Sequence, residues 1–156
     1  METYRNHRID IVVLTVNISL HKGTAKEPVP AIEIDTEGVI GDTHRGTAGR
    51  NVSLLDRKLI DDLTSASGIE RIPDGGMGEN ITCRISGKNI PQVGDRIRIN
   101  DVLMHVEKIG KDCHGDGCAI FRRLGKCVMP SAGIFCSVIR GGKIEPGMIG
   151  ELIREI

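Results

Sequence analysis

The residues best suited to chemistry lie between positions 110 and 118 of the 156-residue chain. Cys113 is flanked there by Lys111 and His114 in a polar, glycine-rich run, which is typical of a surface loop where a thiol is accessible. A nucleophilic or metal-binding cysteine must react as the thiolate, and the neighbouring lysine and histidine favour that form whereas two nearby aspartates oppose it. We predict that Cys113 carries the chemistry; the alternative is a free cysteine in a turn.

A metal site is the second hypothesis for this region. The soft ligands available are Cys113, His114, Cys118 and Cys127. Zinc takes four such ligands in a tetrahedral array, but the spacing lacks a Cys-x-x-Cys pair, which argues against structural zinc. The other two cysteines, Cys83 and Cys136, lie in predicted strands and are expected to be structural. Five cysteines are an odd number and cannot all pair within the chain, and three of them crowd one region instead of spreading as a disulfide framework, so we predict a reducing, cytoplasmic location.

Two further groups of polar residues have types that could bind a ligand. Asp42 and His44 lie together in a glycine-flanked turn, and Arg45 and Arg50 are placed to bind an anion such as phosphate. Glu79 and Asn80 enter a predicted strand directly after a glycine-rich stretch. The structural alternative for Asp42 is an Asx turn, in which its carboxylate binds only its own backbone.

The elements that position these residues are predicted to be mainly strands. The chain has only three aromatic residues, so its core must consist of Val, Ile and Leu, which favour strands. Residues 22–30 are predicted to be a loop, because Pro28 and Pro30 would exclude regular pairing. We predict a closed or partly open β-barrel with one or two helices, in a single domain over 1–156. The predicted strands cover residues 9–19, 31–34, 79–85, 96–99, 102–109, 134–139 and 148–153.

One helix is predicted to begin at Ser53. Asp56 follows it three residues later as a variant capping box, leucines recur at helical spacing, and Gly68 ends the pattern. Arg50 would then lie just before the helix, where its guanidinium and the first helical amides could face one anion.

Charge and hydrophobicity exclude two classes of partner. Acidic and basic residues number 21 each, so the chain has no basic surface for nucleic acid, and three aromatics provide no stacking platform. No run approaches the roughly 20 apolar residues that span a bilayer. The apolar stretch near the N-terminus is interrupted by Asp10 and Asn17 and has no cleavage site after it, so a strand is predicted there rather than a signal peptide.

In their order along the chain, the motifs resemble the MOSC domain, found at the C-terminus of molybdenum-cofactor sulfurases and as stand-alone bacterial proteins. The likeness covers nearly the whole chain. The matching segments are Val16-Asn17-Ile18-Ser19, Gly38-Val39-Ile40-Gly41-Asp42-Thr43-His44-Arg45-Gly46, Arg50-Asn51-Val52-Ser53-Leu54-Leu55, Gly78-Glu79-Asn80-Ile81-Thr82, Val93-Gly94-Asp95, Gly110-Lys111-Asp112-Cys113-His114, Cys127-Val128-Met129-Pro130, Gly133-Ile134-Phe135, and Gly141-Gly142 with Pro146-Gly147.

The resemblance implies a barrel-like fold and a central cysteine, here Cys113, that carries sulfur as a persulfide or ligates molybdenum held by a pterin. It implies cofactor-binding roles for Asp42, His44, Arg50, Glu79, Asn80, Lys111 and His114. One segment departs from the family pattern: an aromatic-His stretch that often precedes the arginine reads Thr47-Ala48-Gly49 here, which bears on one wall of the site. The chain has no pyridoxal-phosphate sulfurase domain, so sulfur would come from a partner such as a cysteine desulfurase or a molybdenum-cofactor protein.

The resulting functional hypothesis is a stand-alone protein that carries sulfur or binds the molybdenum cofactor through Cys113. Three alternatives stay open. The chain could be a molybdenum-dependent reductase of N-hydroxylated compounds served by a redox partner, or a non-enzymatic module that delivers the cofactor. It could also be a zinc- or thiol-based redox switch using Cys113 and Cys118.

Overall fold

The computed structural model describes residues 9–21, 24–67, 71–87, 90–110 and 132–154. Within these ranges the chain forms eleven strands and one helix. In chain order they are β1 (Ile11–Ile18), β2 (Glu27–Val29), β3 (Ile32–Asp35), β4 (Gly38–Val39), β5 (Val52–Asp56), α1 (Arg57–Ser67), β6 (Ile81–Ile85), β7 (Arg96–Ile99), β8 (Val102–Ile109), β9 (Ile134–Arg140), β10 (Gly142–Ile144) and β11 (Ile149–Ile153).

Seven of the strands close into a barrel. Their order around the wall is β11-β7-β8-β9-β5-β6-β1, and pairing of β1 with β11 completes the ring. All neighbours are antiparallel except β5 and β6, which run parallel because helix α1 connects them as a crossover. The predicted mainly β fold with a closed barrel is therefore confirmed.

The barrel interior is filled with aliphatic side chains, as the shortage of aromatic residues predicted. Strand β1 shows the pattern, because Ile11, Val13 and Val16 are almost fully buried and a bulge follows Val13. Cys83 and Cys136 also lie in this core, and burial raises the pKa of both thiols, which keeps them protonated. Among the described helices, none is long and apolar enough to cross a membrane.

The helix begins later than the sequence suggested, and the prediction of a start at Ser53 is wrong. Ser53 lies in β5, where four successive residues (52–55) are buried because one face lines the barrel and the other is covered. On the covered face Leu55 packs with Ile60 in a second, smaller core. Helix α1 begins at Arg57, and the Asp56 carboxylate caps it by accepting the N–H of Lys58 at 3.0 Å.

The late helix start also changes the setting of Arg50. This residue precedes strand β5, so the first amides of α1 are separated from it by the whole length of that strand. The predicted anion site made jointly by Arg50 and a helix N-terminus is therefore wrong, and any anion bound by Arg50 must use other donors.

The expectation that proline prevents pairing in residues 22–30 is wrong as well. Strand β2 pairs with the second half of β1, with Pro28 opposite Asn17. Strand β2 lies at the edge of the sheet and, among the described strands, pairs only with β1. On its outer side no described strand waits to accept an N–H, so the missing N–H of Pro28 costs the sheet no hydrogen bond there.

A small three-stranded sheet, β10-β3-β4, leads the chain into the turn that carries Asp42. Gly38 in β4 has φ of 126°, and a Cβ at this position would lie 2.6 Å from the backbone oxygen of Asn51. Only glycine fits both the conformation and the approach. The close contact holds the turn of residues 40–46 against the chain that enters β5.

Candidate functional site

The predicted site residues Asp42, His44 and Asn80 come together at the end of the barrel where β1 ends and β6 begins. Asp42 and His44 lie in the turn after β4, and Asn80 immediately precedes β6. Cys113, Lys111 and His114 lie outside the described residues, so their predicted roles stay predictions.

An ion pair between Asp42 and Lys26 forms the centre of this cluster. The Lys26 Nζ lies 2.8 Å from Oδ1 and 3.1 Å from Oδ2 of Asp42, and both side chains are fully buried. The backbone N–H of Ser19 also donates to Oδ1, at 2.9 Å. Burial alone would raise the pKa of Asp42, but the lysine and the Ser19 amide outweigh it and hold that pKa below its ordinary value.

His44 lies on the outer side of the ion pair. Its backbone N–H donates to Asp42 Oδ2 at 3.2 Å, and its ring Nδ1 lies 3.1 Å from Lys26 Nζ. The imidazole is 32% exposed, whereas Asp42 beneath it has no exposed side-chain surface. The cluster therefore presents an imidazole at the surface, held by a buried charged pair.

Asn80 connects three strands of the barrel wall below this cluster. It exchanges hydrogen bonds with Ser53, whose backbone N–H donates to Asn80 Oδ1 at 3.1 Å and whose Oγ accepts the Asn80 N–H at 3.1 Å. Its Nδ2 donates to the carbonyl of Asn17 at 3.2 Å. The polar side chain of Asn80 also helps to lower the pKa of Asp42.

Glu79 is placed differently from the other predicted ligands. It is fully buried and accepts hydrogen bonds from Thr82 Oγ1 at 2.7 Å, from the Gly75 N–H at 3.2 Å and from the Met77 N–H at 3.1 Å. Burial raises the pKa of this carboxyl, and the three hydrogen bonds act in the opposite direction. In the described structure Glu79 thus fastens the turn before β6, and its cofactor-binding role stays a prediction.

Arg50 is half-buried just before β5, and its backbone N–H donates to the Thr47 carbonyl at 3.0 Å. Its guanidinium has no hydrogen bond or ion pair with another residue in the described ranges. A half-buried guanidinium without such a partner is chemically suited to an anionic ligand.

Sequence reasoning missed several members of the cluster, above all Lys26 and Asn17. Nothing near Lys26 distinguishes it from a solvated lysine in a polar loop, because its partner Asp42 is reached only through the fold. Asn17 carried a signal, since a polar residue interrupts an otherwise apolar strand. Its Nδ2 donates to Thr82 Oγ1 at 3.1 Å, and its buried Oδ1 has no hydrogen-bond partner within the described part of the chain.

The ends of the segment that contains Cys113 are described. The Gly110 N–H donates to the Gly133 carbonyl at 2.7 Å, so the chain leaves β8 and enters β9 at one point of the barrel wall. Ile134 of β9 is in register with Leu54 of β5, which is in register with Ile81 of β6, next to Asn80. Two strand spacings, about 10 Å, therefore separate this point from the start of β6.

Solved structures with the same fold are known. The chain is similar to the YUAD protein from Bacillus subtilis, with a TM-score of 0.74 at 18% identity over 92% of this chain and 96% of that one. It is similar to YiiM from Geobacillus stearothermophilus, with a TM-score of 0.71 at 18% identity over 92% and 75% of the two chains. For YiiM from Escherichia coli the TM-score is 0.62 at 19% identity over 94% and 70%.

These likenesses support a MOSC-like fold. A comparison with protein-family models gives no match, and neither does one with curated proteins. At this level of sequence identity, the similarity to solved structures is evidence for the fold alone.

The chemistry available at the cluster is that of binding and positioning. Within the described ranges no three His, Cys, Asp or Glu side chains gather as a metal-binding group. The Asp42 carboxylate is neutralised by Lys26, and the more accessible group of the cluster is the His44 imidazole, which when neutral donates one hydrogen bond and accepts another. The cluster thus offers a ligand a polar contact without net negative charge.

Proposed function

We propose that the chain is a MOSC-type protein that carries sulfur, or binds the molybdenum cofactor, through Cys113. The observation that supports this most is the convergence of Asp42, His44 and Asn80 on one end of a barrel that has the fold of YUAD and YiiM. Those residues come from two motifs of the MOSC resemblance that are distant in sequence.

The described residues fit an anionic, oxygen-rich ligand such as a pterin with a phosphate. Arg50 and the exposed imidazole of His44 would bind the phosphate or other acceptor atoms of the ligand, whereas Asn80, which is fully buried, would position the strands beneath them. The carboxylates of Asp42 and Glu79 accept hydrogen bonds from their own surroundings, so neither presents uncompensated negative charge to the phosphate. When bound, the cofactor would supply a molybdenum centre that takes a thiolate ligand.

The length of chain between Gly110 and Cys113 is compatible with a position of Cys113 at this end of the barrel. Three residues of chain span at most about 11 Å, which is the reach of Cys113 from Gly110. The distance along the wall from the β8–β9 junction to the start of β6 is about 10 Å.

As a sulfur carrier, Cys113 would act by exchange. Its thiolate attacks the terminal sulfur of a persulfide on the donor protein, the donor's S–S bond breaks, and the donor cysteine leaves as a thiolate. The product is a persulfide on Cys113, with no net oxidation or reduction. This step needs an accessible thiolate, and the buried thiols of Cys83 and Cys136 do not meet that requirement.

Elemental analysis of protein purified from its native host tests the proposal, together with pterin fluorescence after oxidative release and mass spectrometry for a bound persulfide. We expect sub-stoichiometric molybdenum with pterin, or a mass increase of one sulfur on Cys113. One equivalent of zinc lost only on unfolding, with neither pterin nor added sulfur, would instead favour the redox-switch alternative.

A further inference from the structure

We infer that Lys26 is a positioning residue: it holds His44 as a neutral imidazole whose proton is on Nε2, so that the ring offers a hydrogen-bond donor to the ligand. The state of the ring follows from the contacts described above. The contact with a ligand rests, in addition, on the proposed function of this site.

The ammonium group of Lys26 lies between the carboxylate and the imidazole. Its Nζ is 2.8 Å from Asp42 Oδ1, 3.2 Å from Ser19 Oγ and 3.1 Å from His44 Nδ1. By contrast, Asp42 Oδ2 and His44 Nδ1 are 3.8 Å apart, which is too long for a hydrogen bond.

Donor and acceptor chemistry then decides the state of the ring. A lysine ammonium has three N–H donors and no acceptor, so the Nδ1 atom facing it must accept and carries no proton. A neutral imidazole with unprotonated Nδ1 has its proton on Nε2. In the imidazolium form both nitrogens carry protons, and the Nδ1–H would point at the ammonium.

Without Lys26, the same neighbours would favour the opposite state. The Asp42 carboxylate, whose Oδ2 lies 3.8 Å from Nδ1, would then face the ring without the ammonium group between them, and a carboxylate can only accept a hydrogen bond. Once a small movement shortens this distance, a proton on Nδ1 would donate to the carboxylate, and Nε2 would become the acceptor. Lys26 therefore determines whether His44 donates or accepts on its Nε2 side.

The consequence for the proposed site is a preference in ligand chemistry. With its proton on Nε2, His44 favours a ligand atom that accepts, such as a phosphate oxygen, a carbonyl oxygen or a thiolate. A ligand with an ammonium group at this position is disfavoured, because its N–H donors would face the Nε2–H of His44, which is also a donor. This preference agrees with the cationic character of Arg50.

Nitrogen NMR of protein labelled with 15N-histidine tests the state of the ring at about pH 8, above the ordinary histidine pKa. A His44→Gln variant identifies the His44 signals among the five histidines. We expect the wild-type ring to show an unprotonated Nδ1 and a protonated Nε2. A protonated Nδ1 in the wild-type protein, as either the other tautomer or the imidazolium, overturns the inference without any further variant.

Two variants separate positioning from general stability. In Lys26→Met we expect the ring proton to shift from Nε2 to Nδ1, while Ser19→Ala, which removes another acceptor of the same ammonium, should leave it on Nε2. An unchanged tautomer in a folded Lys26→Met protein, with folding checked by the backbone amide spectrum, would contradict the role of Lys26.

Titration of the wild-type protein with inorganic phosphate tests the ligand contact separately. We expect the His44 Nε2 resonance to move with saturation, and a sulfate titration distinguishes phosphate from any oxyanion. If the ring has the expected tautomer but phosphate leaves Nε2 unmoved, the ligand contact fails together with that part of the proposed function, and the assignment of the tautomer is unaffected.

Discussion

The buried pair of Lys26 and Asp42 shows how one charged contact can organise a site. Removing two charges from water is costly, and their attraction offsets that cost only when further hydrogen bonds satisfy both groups. Here Ser19 contributes on both sides, with its N–H to the carboxylate and its Oγ to the ammonium. Such a pair is weak as a source of net stability but strongly defines geometry, which is what a binding site requires.

The pH dependence of stability should reveal this pair. The pKa of Asp42 is lowered in the folded protein, so its contribution is present above the unfolded value of about 3.9 and is lost as the pH falls towards the folded value. Asp42→Asn leaves the Lys26 ammonium without its carboxylate, and we expect a loss of about 3–5 kcal/mol in the free energy of unfolding at pH 7.

Urea unfolding between pH 7 and pH 3 measures both effects. The difference between wild type and Asp42→Asn should shrink below about pH 4. Asp62→Asn, at an exposed position of helix α1, serves as the control and should follow the wild type. A constant difference across the whole range would contradict an ionised Asp42 paired with Lys26.

Arg50 is expected to bind an anion through its guanidinium. Arg50→Ala should weaken phosphate or pterin-phosphate binding by about 10- to 100-fold while the fold stays intact, because a charge-assisted hydrogen bond contributes about 1.5–3 kcal/mol. Calorimetry measures the affinity. Arg71→Ala, which removes a mostly exposed arginine, is the matched control; equal affinity in all three proteins would mean that Arg50 binds no ligand.

Cys113 is expected to be the most reactive of the five thiols. Limiting iodoacetamide across a pH series, with the label located by mass spectrometry, should modify Cys113 first and leave Cys83 and Cys136 unlabelled in the folded protein. Cys113→Ser should also abolish sulfur loading from a persulfide donor and cofactor retention. If Cys113→Ser still loads sulfur and Cys118→Ser does not, the chemistry belongs to Cys118.

At the scale of the elements, prediction succeeded where burial alternates and failed where it does not. Strands β7 and β8 match their predicted bounds because one face of each is buried and the other is wet. Strand β5 is covered on both faces, so its sequence is a continuous apolar run rather than an alternating one. This run leads directly into the leucines of α1. A short apolar run of this kind does not distinguish a strand from a helix.

The candidate site was predictable in part for a related reason. Asp42, His44 and Asn80 stand in recognisable motifs, whereas Lys26 acquires its role only when strand β2 folds back on β1. A contact between residues brought together by tertiary pairing leaves no local pattern in the sequence.

The turn before β6 is an element whose packing can be tested directly. Gly75 has φ of 83°, and a Cβ there would lie 2.4 Å from the backbone oxygen of Lys26. Gly75→Ala should therefore lower the free energy of unfolding by about 1–3 kcal/mol and displace Lys26, since the backbone must move to relieve the overlap. Thermal unfolding and the His44 nitrogen signals report the two effects. Gly87→Ala, where a Cβ meets open space, should change neither.

At the scale of the whole molecule, the barrel depends on the junction between β1 and β11. Ile11 pairs with Gly150, and the Asp10 carboxylate accepts the buried N–H of Leu152 at 2.8 Å. Asp10→Ala leaves that N–H without its carboxylate, and we expect a loss of about 1–3 kcal/mol in the free energy of unfolding. Urea unfolding measures it. Asp62→Ala on the helix surface should stay within about 0.5 kcal/mol of the wild type, and an equally small effect of Asp10→Ala would show that the junction tolerates the loss.

The same junction has a consequence for how the molecule is made. Asp10 and Leu152 are 142 positions apart, so the contact that completes the ring forms between the most distant strands of the chain. On a ribosome, β1 is synthesised long before β11 and must wait with one edge unpaired over its first half. Contacts of such long range slow folding, and an unpaired edge invites association with other chains. Newly made chains of this protein are therefore most vulnerable to aggregation in the interval before β11 emerges.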